Sequence, residues 1–210
     1  MKKLTDLSSR EFLTELASAA PVPGGGGAAA LAGALAAALS SMVANLTIGK
    51  EKFAAQEEKV RALLSAVEKT RVKLLELAES DAAVFAEFMN CYKLPKGTDE
   101  EKAIRTAAVR KAAKQAAEVP LEIARVAMEV LLIADKLVLC GNPGVITDAA
   151  CSGLLARAAL RCAEYNVRIN LGLTKDESYN EQITAELISM QQKALTAEEH
   201  LLAVTDKVLK

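Results

Sequence analysis

Hydrophobic positions along the 210-residue chain recur at helical spacing, and no alternating run is long enough to predict a sheet. Ser8-Ser9-Arg10-Glu11 has the form of a capping box, in which a hydroxyl accepts from an early helix N–H and a glutamate reaches back. Phe12, Leu13 and Leu16 give a short helical stripe that Pro21 and the glycines Gly24 to Gly27 end. From Leu16 to Gly49 there is no charged residue. The remainder, Ala28 to Ile48, is long enough to span a bilayer but consists mostly of Ala, which gains far less from lipid than Leu does. A helix apolar on all sides is buried in protein or in a membrane. The composition predicts burial in protein, as a central or dimer-interface helix anchored by Leu31, Leu35, Leu39 and Leu46 and closed by Gly49.

A long helix is predicted from about Lys52 to Cys91, with Val60, Leu64, Val67, Leu74, Ala78 and Phe85 forming a bundle seam. Arg71 and Asp81 fall on the same seam. A lone buried carboxylate is costly, so Asp81 must be paired, with Arg71 or a Lys, or must titrate. After the loop Leu94-Pro95-Lys96-Gly97, a second capping box at Thr98 to Glu101 starts a helix to about Glu118. Pro120 is expected to end or kink it and to open the next, to about Leu139. Gly141-Asn142-Pro143-Gly144 is a tight loop, Thr147 and Asp148 begin a helix to about Asn170, and Asp176 onward reads as one long or two shorter amphipathic helices. The expected fold class is all-α, a single domain over residues 1–210 built as a helical bundle of about seven or eight helices around a buried Ala-rich helix.

Composition agrees and narrows the function. Ala occurs 40 times, apolar residues make up 51% and charged residues 25%, as in a foldable, helix-prone chain. The net charge of −1 and the absence of Trp argue against a nucleic-acid partner and against a stacking platform for single strands. The N-terminus does not have the form of a signal peptide. Cys91, Cys140, Cys151 and Cys162 form no CxxC pair and the one histidine is His200, so no zinc site is expected; the cysteines read as buried thiols in a reducing cytoplasm. A single histidine, in a terminal Ala/Leu-rich helix, also counts against Ser-His-Asp or Cys-His catalysis.

Several residues have both a structural and a chemical reading. The run Gly24, Gly25, Gly26 and Gly27 opens a helix, whose backbone N–H groups suit either a tight packed turn or an anion; it is neither a Walker loop nor a Rossmann fingerprint. Asp148 fits an N-cap or a carboxylate held at a pocket mouth. Asn166 and Asn170, four apart on one helix face in an apolar stretch, need partners, either in neighbouring backbone or in a heteroaromatic ligand. Lys50 and Lys96, at helix or loop ends, are either solvated or partners for a ligand's carboxylates.

In order along nearly the whole chain, a set of segments resembles the cyclodeaminase/cyclohydrolase family that acts on one-carbon tetrahydrofolates. They are Pro23-Gly24-Gly25-Gly26 with the Ala-rich helix, Gly49-Lys50 with Phe53, Asp81 with Phe85, Leu94-Pro95-Lys96, and Glu100-Glu101-Lys102. Arg105-Thr106-Ala107-Ala108, Val119-Pro120-Leu121, Cys140-Gly141-Asn142, Asp148, and Asn166-Val167 through Ile169-Asn170-Leu171 complete the set. One departure is Gly27, where the family commonly has Ser. The resemblance implies an all-α, typically homodimeric enzyme with a tetrahydrofolate derivative as substrate and no tightly bound cofactor. It matches Asp148 to an aspartate implicated in catalysis, as general base or cation stabiliser. On this reading Asn142, Asn166 and Asn170 orient the pterin, the Gly24 to Gly27 turn shapes the pocket, and Lys50 or Lys96 meets the glutamate tail. The expected activity is hydrolysis of the N5,N10-methenyl bridge. The alternatives are ammonia release from formiminotetrahydrofolate, and a non-catalytic folate-binding or structural helical dimer.

Overall fold

A computed structural model describes residues 3–210. Among them are six α-helices and no strand: α1 (Ser9–Leu16), α2 (Gly25–Asn45), α3 (Glu57–Cys91), α4 (Asp99–Cys140), α5 (Ile146–Thr174) and α6 (Glu177–Leu209). Short 3-10 turns lie at Leu4–Asp6, Glu51–Gln56 and Pro143–Val145. Both capping boxes form, with Glu11 accepting from the Ser8 N–H and Glu101 from the Thr98 N–H. The helix count is below the seven or eight expected, because α4 runs unbroken through Pro120 and α6 is one helix.

The continuity of α4 has a specific cause. Proline has no N–H, so the Ala116 carbonyl loses the donor four residues ahead. The Asn170 side-chain amide donates to that carbonyl at 2.8 Å and replaces the missing donor from α5. A second bond, to the Asn166 carbonyl at 2.8 Å, fixes the same amide. Asn170→Ala is therefore expected to lower stability by about 1–3 kcal/mol, the usual cost of an orphaned buried carbonyl. Adding Pro120→Ala restores a backbone donor and should recover most of that loss. Thermal unfolding of the single and double variants checks the coupling, and additive losses would refute it.

Helix α2 lies against α3 and α5 and also touches α4. Its buried face is Ala29, Ala30, Gly33, Ala34, Ala36, Ala37 and Ser40, small residues that let neighbouring backbones approach. Two of the leucines expected to anchor it do not, Leu35 being 61% exposed and Leu46 39%, whereas Leu31 packs, partly buried, against the core. Close packing selects the small side chains for the interior, and Leu74 of α3 fills the groove at Gly33, 3.1 Å from where a Cβ would stand. Across α2 and α5, the Ser40 and Ser152 hydroxyls bond at 2.8 Å, and the Ser152 hydroxyl also donates to the Ala36 carbonyl. These contacts, with Gly26 beside Asp81 and Gly25 beside Asn166, show that α3 and α5 both run antiparallel to α2. The N-terminal end of α2 thus meets the C-terminal halves of α3 and α5.

Other expectations are resolved differently. Arg71 pairs with Glu68 on its own helix, so it is not a partner for Asp81. Of the four cysteines only Cys140 is buried; Cys151 and Cys162 are exposed and Cys91 is half-buried. The exposed cysteines lie on the outer face of α5, which periodicity alone does not separate in an Ala-rich helix.

Candidate active site

A cavity of about 290 Å³ opens where the start of α2 meets α3, α4 and α5. Its lining includes Gly24, Gly25, Gly26, Asp81, Phe85, Phe88, Asn166 and Asn170, with Ala116 and Val119 from α4. The glycines are required by proximity. A Cβ on Gly26 would overlap the Asp81 carboxylate, and one on Gly25 would stand 3.1 Å from the Asn166 amide nitrogen. Gly27, which needs no such clearance, donates its N–H to Asp81 Oδ2 at 3.0 Å. The start of α2 is therefore a floor without side chains, against which an acid and an amide are laid.

Among the described residues Asp81 is the only charged group in the lining, no cation pairs with it, and its one hydrogen bond is the Gly27 N–H, a donor at a helix N-terminus. Burial pushes its pKa above the ordinary carboxylate value, and the Gly27 bond only partly opposes that. The seam position of Asp81 had pointed to pairing or titration; the structure leaves titration. Asn166 donates to the Cys162 carbonyl at 2.8 Å, and Asn170 is held as described. Asn170 thus commits both amide N–H groups to backbone and Asn166 one, and both keep their side-chain carbonyls as acceptors. Phe85 and Phe88 supply aromatic surface, their ring centroids 6.4 Å apart.

The remaining predicted residues lie elsewhere. Asn142 caps the α4–α5 loop: its side chain accepts from the Gly144 N–H and donates to the Leu46 carbonyl, at the C-terminal end of α2. Lys50 is exposed and precedes the Glu51–Gln56 turn at that same end. Asp148 sits in the first turn of α5, eighteen residues from Asn166, which is about 27 Å along a helix. One pocket in one chain therefore does not join Asp148, Asn142 or Lys50 to the glycine turn. Lys96 is exposed in the α3–α4 loop, at the cavity end but outside the lining. His200 bonds Asp135 at 2.6 Å, on α6 and α4. A larger space of about 510 Å³ beneath α1 is lined mainly by apolar side chains, with Arg71 its one charge among the described residues.

The model of the formiminotransferase-cyclodeaminase family matches residues 8–189. The chain belongs to this family. Among its members, methenyltetrahydrofolate cyclohydrolase of Methylorubrum extorquens is 46% identical over 84% of this chain and 85% of its own. Formimidoyltransferase-cyclodeaminase of Rattus norvegicus is 33% identical over 93% of this chain, which spans 36% of that longer protein. The crystal structure of formiminotetrahydrofolate cyclodeaminase from Thermotoga maritima superposes with a TM-score of 0.89, at 28% identity, covering 99% of this chain and all of that one. Family membership accounts for the ordered motifs in the chain, and the structure assembles four of them, the glycine run, Asp81 with Phe85, Val119-Pro120 and Asn166 to Asn170, around one cavity.

Proposed function

We propose that this chain is an enzyme that hydrolyses the N5,N10-methenyl bridge of tetrahydrofolate, with Asp81 as the carboxylate that attends the bridge. The observation that carries this is electrostatic: the cavity has one charged lining group, and it is an acid without a cation. The methenyl bridge is an amidinium, so its ligand is a cation with an electrophilic carbon. Water adds to that carbon without a covalent nucleophile. The Asp81 carboxylate complements the cation and accepts the proton that the attacking water releases. Its raised pKa makes it a better base than an exposed aspartate. The tetrahedral carbinol then collapses: one C–N bond breaks, the proton held by Asp81 goes to the departing ring nitrogen, the hydroxyl proton leaves to solvent, and the formyl group stays on the other nitrogen. The free carbonyls of Asn166 and Asn170 suit the N–H donors of a pterin, and the phenylalanines suit its faces.

A second reading is favoured by the names of the Thermotoga and mammalian relatives. In cyclodeamination N10 adds to a formimino carbon on N5 and ammonia departs, through a tetrahedral carbon between the same two nitrogens. Incubating purified protein with methenyltetrahydrofolate, and separately with formiminotetrahydrofolate, distinguishes them. Loss of the methenyl absorbance without ammonia release from the second compound is expected. No change in either compound would overturn the enzymatic reading.

Asp148 serves as the internal comparison. At the far end of α5, Asp148→Asn is expected to leave kcat within about twofold of the parent, as for a substitution remote from the chemistry. A loss of orders of magnitude would move the site to that end of the bundle. A homodimer belongs to the same proposal, supported by the exposed apolar stripe of Leu35, Met42 and Leu46 on α2. The four free thiols suit a reducing compartment such as the cytoplasm.

A further inference from the structure

The cavity, at about 290 Å³, is at the small end for ligand sites, with room for a pterin head and its bridge but not for a whole folate. The p-aminobenzoylglutamate arm must leave it. One exit carries matching chemistry. Along α3, Phe85, Phe88 and Tyr92 recur at three- and four-residue spacing, so they form a row on one face. Phe85 and Phe88 line the cavity, and the Phe88 and Tyr92 rings meet edge to face with centroids 5.3 Å apart. Phe85 and Tyr92 are partly exposed at 36% and 40%, leaving ring surface for another aromatic group.

At the outer end of the row stands Arg105 of α4, its guanidinium carbon 5.3 Å from the centre of the Tyr92 ring. Its charge is uncommitted. Arg61, Arg71, Arg125, Arg157, Arg161 and Arg168 all pair with carboxylates, whereas Arg10, Arg105 and Arg110 have no acidic partner among the described residues, and of these three only Arg105 adjoins the aromatic row. Its Nε is buried and has no acceptor. A guanidinium set beside an aromatic ring, with a donor unfilled, is poised for a carboxylate. From Asp81 to Tyr92 is eleven residues, or about 16 Å of helix, comparable with the order of 12 Å that an extended aminobenzoylglutamate arm covers plus the reach of an arginine.

We infer that the row Phe85–Phe88–Tyr92 carries the aminobenzoyl ring and that Arg105 binds the glutamate carboxylate of the substrate, displacing Lys50 and Lys96 from that role. This rests on the folate reading of the Asp81 cavity. Binding of tetrahydrofolate and of tetrahydropteroate, which lacks the glutamate, tests it by titration of the parent protein, Arg105→Gln and Arg105→Lys. The expected result is a roughly tenfold weaker Kd of Arg105→Gln for tetrahydrofolate, an unchanged Kd for tetrahydropteroate, and an intermediate loss in Arg105→Lys. Equal weakening toward both compounds would make Arg105 a structural residue and overturn the inference, as would no change toward either. A parent protein that binds neither compound overturns the folate reading and this inference together. Selective loss in a protein without turnover would retain the subsite and remove only the catalytic claim.

Discussion

Asp81→Asn is expected to lower kcat by about 10³-fold, the range associated with loss of a positioned general base. Asn keeps the size of the side chain and an oxygen that can accept the Gly27 N–H, so the fold and the floor of the cavity should persist. It loses the negative charge that faces the bridge and the capacity to take a proton. Affinity for tetrahydrofolate, whose pterin carries no charge, should change little, while affinity for the methenyl compound, with its cationic bridge, should fall. Stability should move the other way. Burial raises the folded-state pKa of Asp81 above its ordinary value of 3.8. For an acid shifted in that direction, the stabilisation present below 3.8 is lost as pH rises through the folded-state pKa. At neutral pH the ionised group is therefore a liability to the fold. Asp81→Asn should be at least as stable as the parent there, with the difference vanishing in acid. A pH series of thermal unfolding checks the sign. The parent kcat/KM should fall on acidification with an apparent pKa above that of an ordinary carboxylate, and this limb should disappear in the variant.

Gly26→Ala should be nearly as damaging, by about 10²-fold in kcat, because its added methyl would overlap the Asp81 carboxylate. Alanine is otherwise the better helix residue, so the change tests clearance at the site and not helix formation. The neighbouring glycines give a graded series. A Cβ at Gly25 meets the Asn166 amide at 3.1–3.2 Å, so a smaller loss is expected. At Gly27 the nearest atom is 3.8 Å away and at Gly24 nothing lies within 4 Å, so alanine should be tolerated at both. At Gly27 it should raise stability by about 0.5–1 kcal/mol through helix propensity. Kinetics and thermal unfolding of the four alanine variants would give this order. Equal losses at all four would point to backbone freedom as the reason for the glycines.

The all-α class follows from periodicity, alanine content and two capping boxes, each of which acts locally and is visible in a single stretch of chain. Contacts between distant segments were less legible. Pro120 reads as a helix end until Asn170, fifty residues away, is seen donating to the carbonyl that proline orphans. The leucines of α2 read as core because hydrophobicity per residue favours them, whereas the packing of three helices against α2 rewards small side chains. Asp148 gained weight from the family resemblance; its loop and helix-start setting is that of an N-terminal acid, and its distance from the glycine turn is a property of helix direction alone. Asp81 was visible as an anomaly on an apolar seam. The missing signal was its isolation: Arg71, on the same seam, is taken by Glu68.

The central claim is that the Asp81 cavity holds the activated carbon of a one-carbon folate. A crystal structure of the Asp81→Asn protein with methenyltetrahydrofolate bound tests this most directly. The account predicts the pterin against Phe85 and the Asn166 and Asn170 carbonyls, with the methenyl carbon facing residue 81 and the start of α2. A ligand seated instead at the opposite end of α2, beside Asn142 and Asp148, would contradict it.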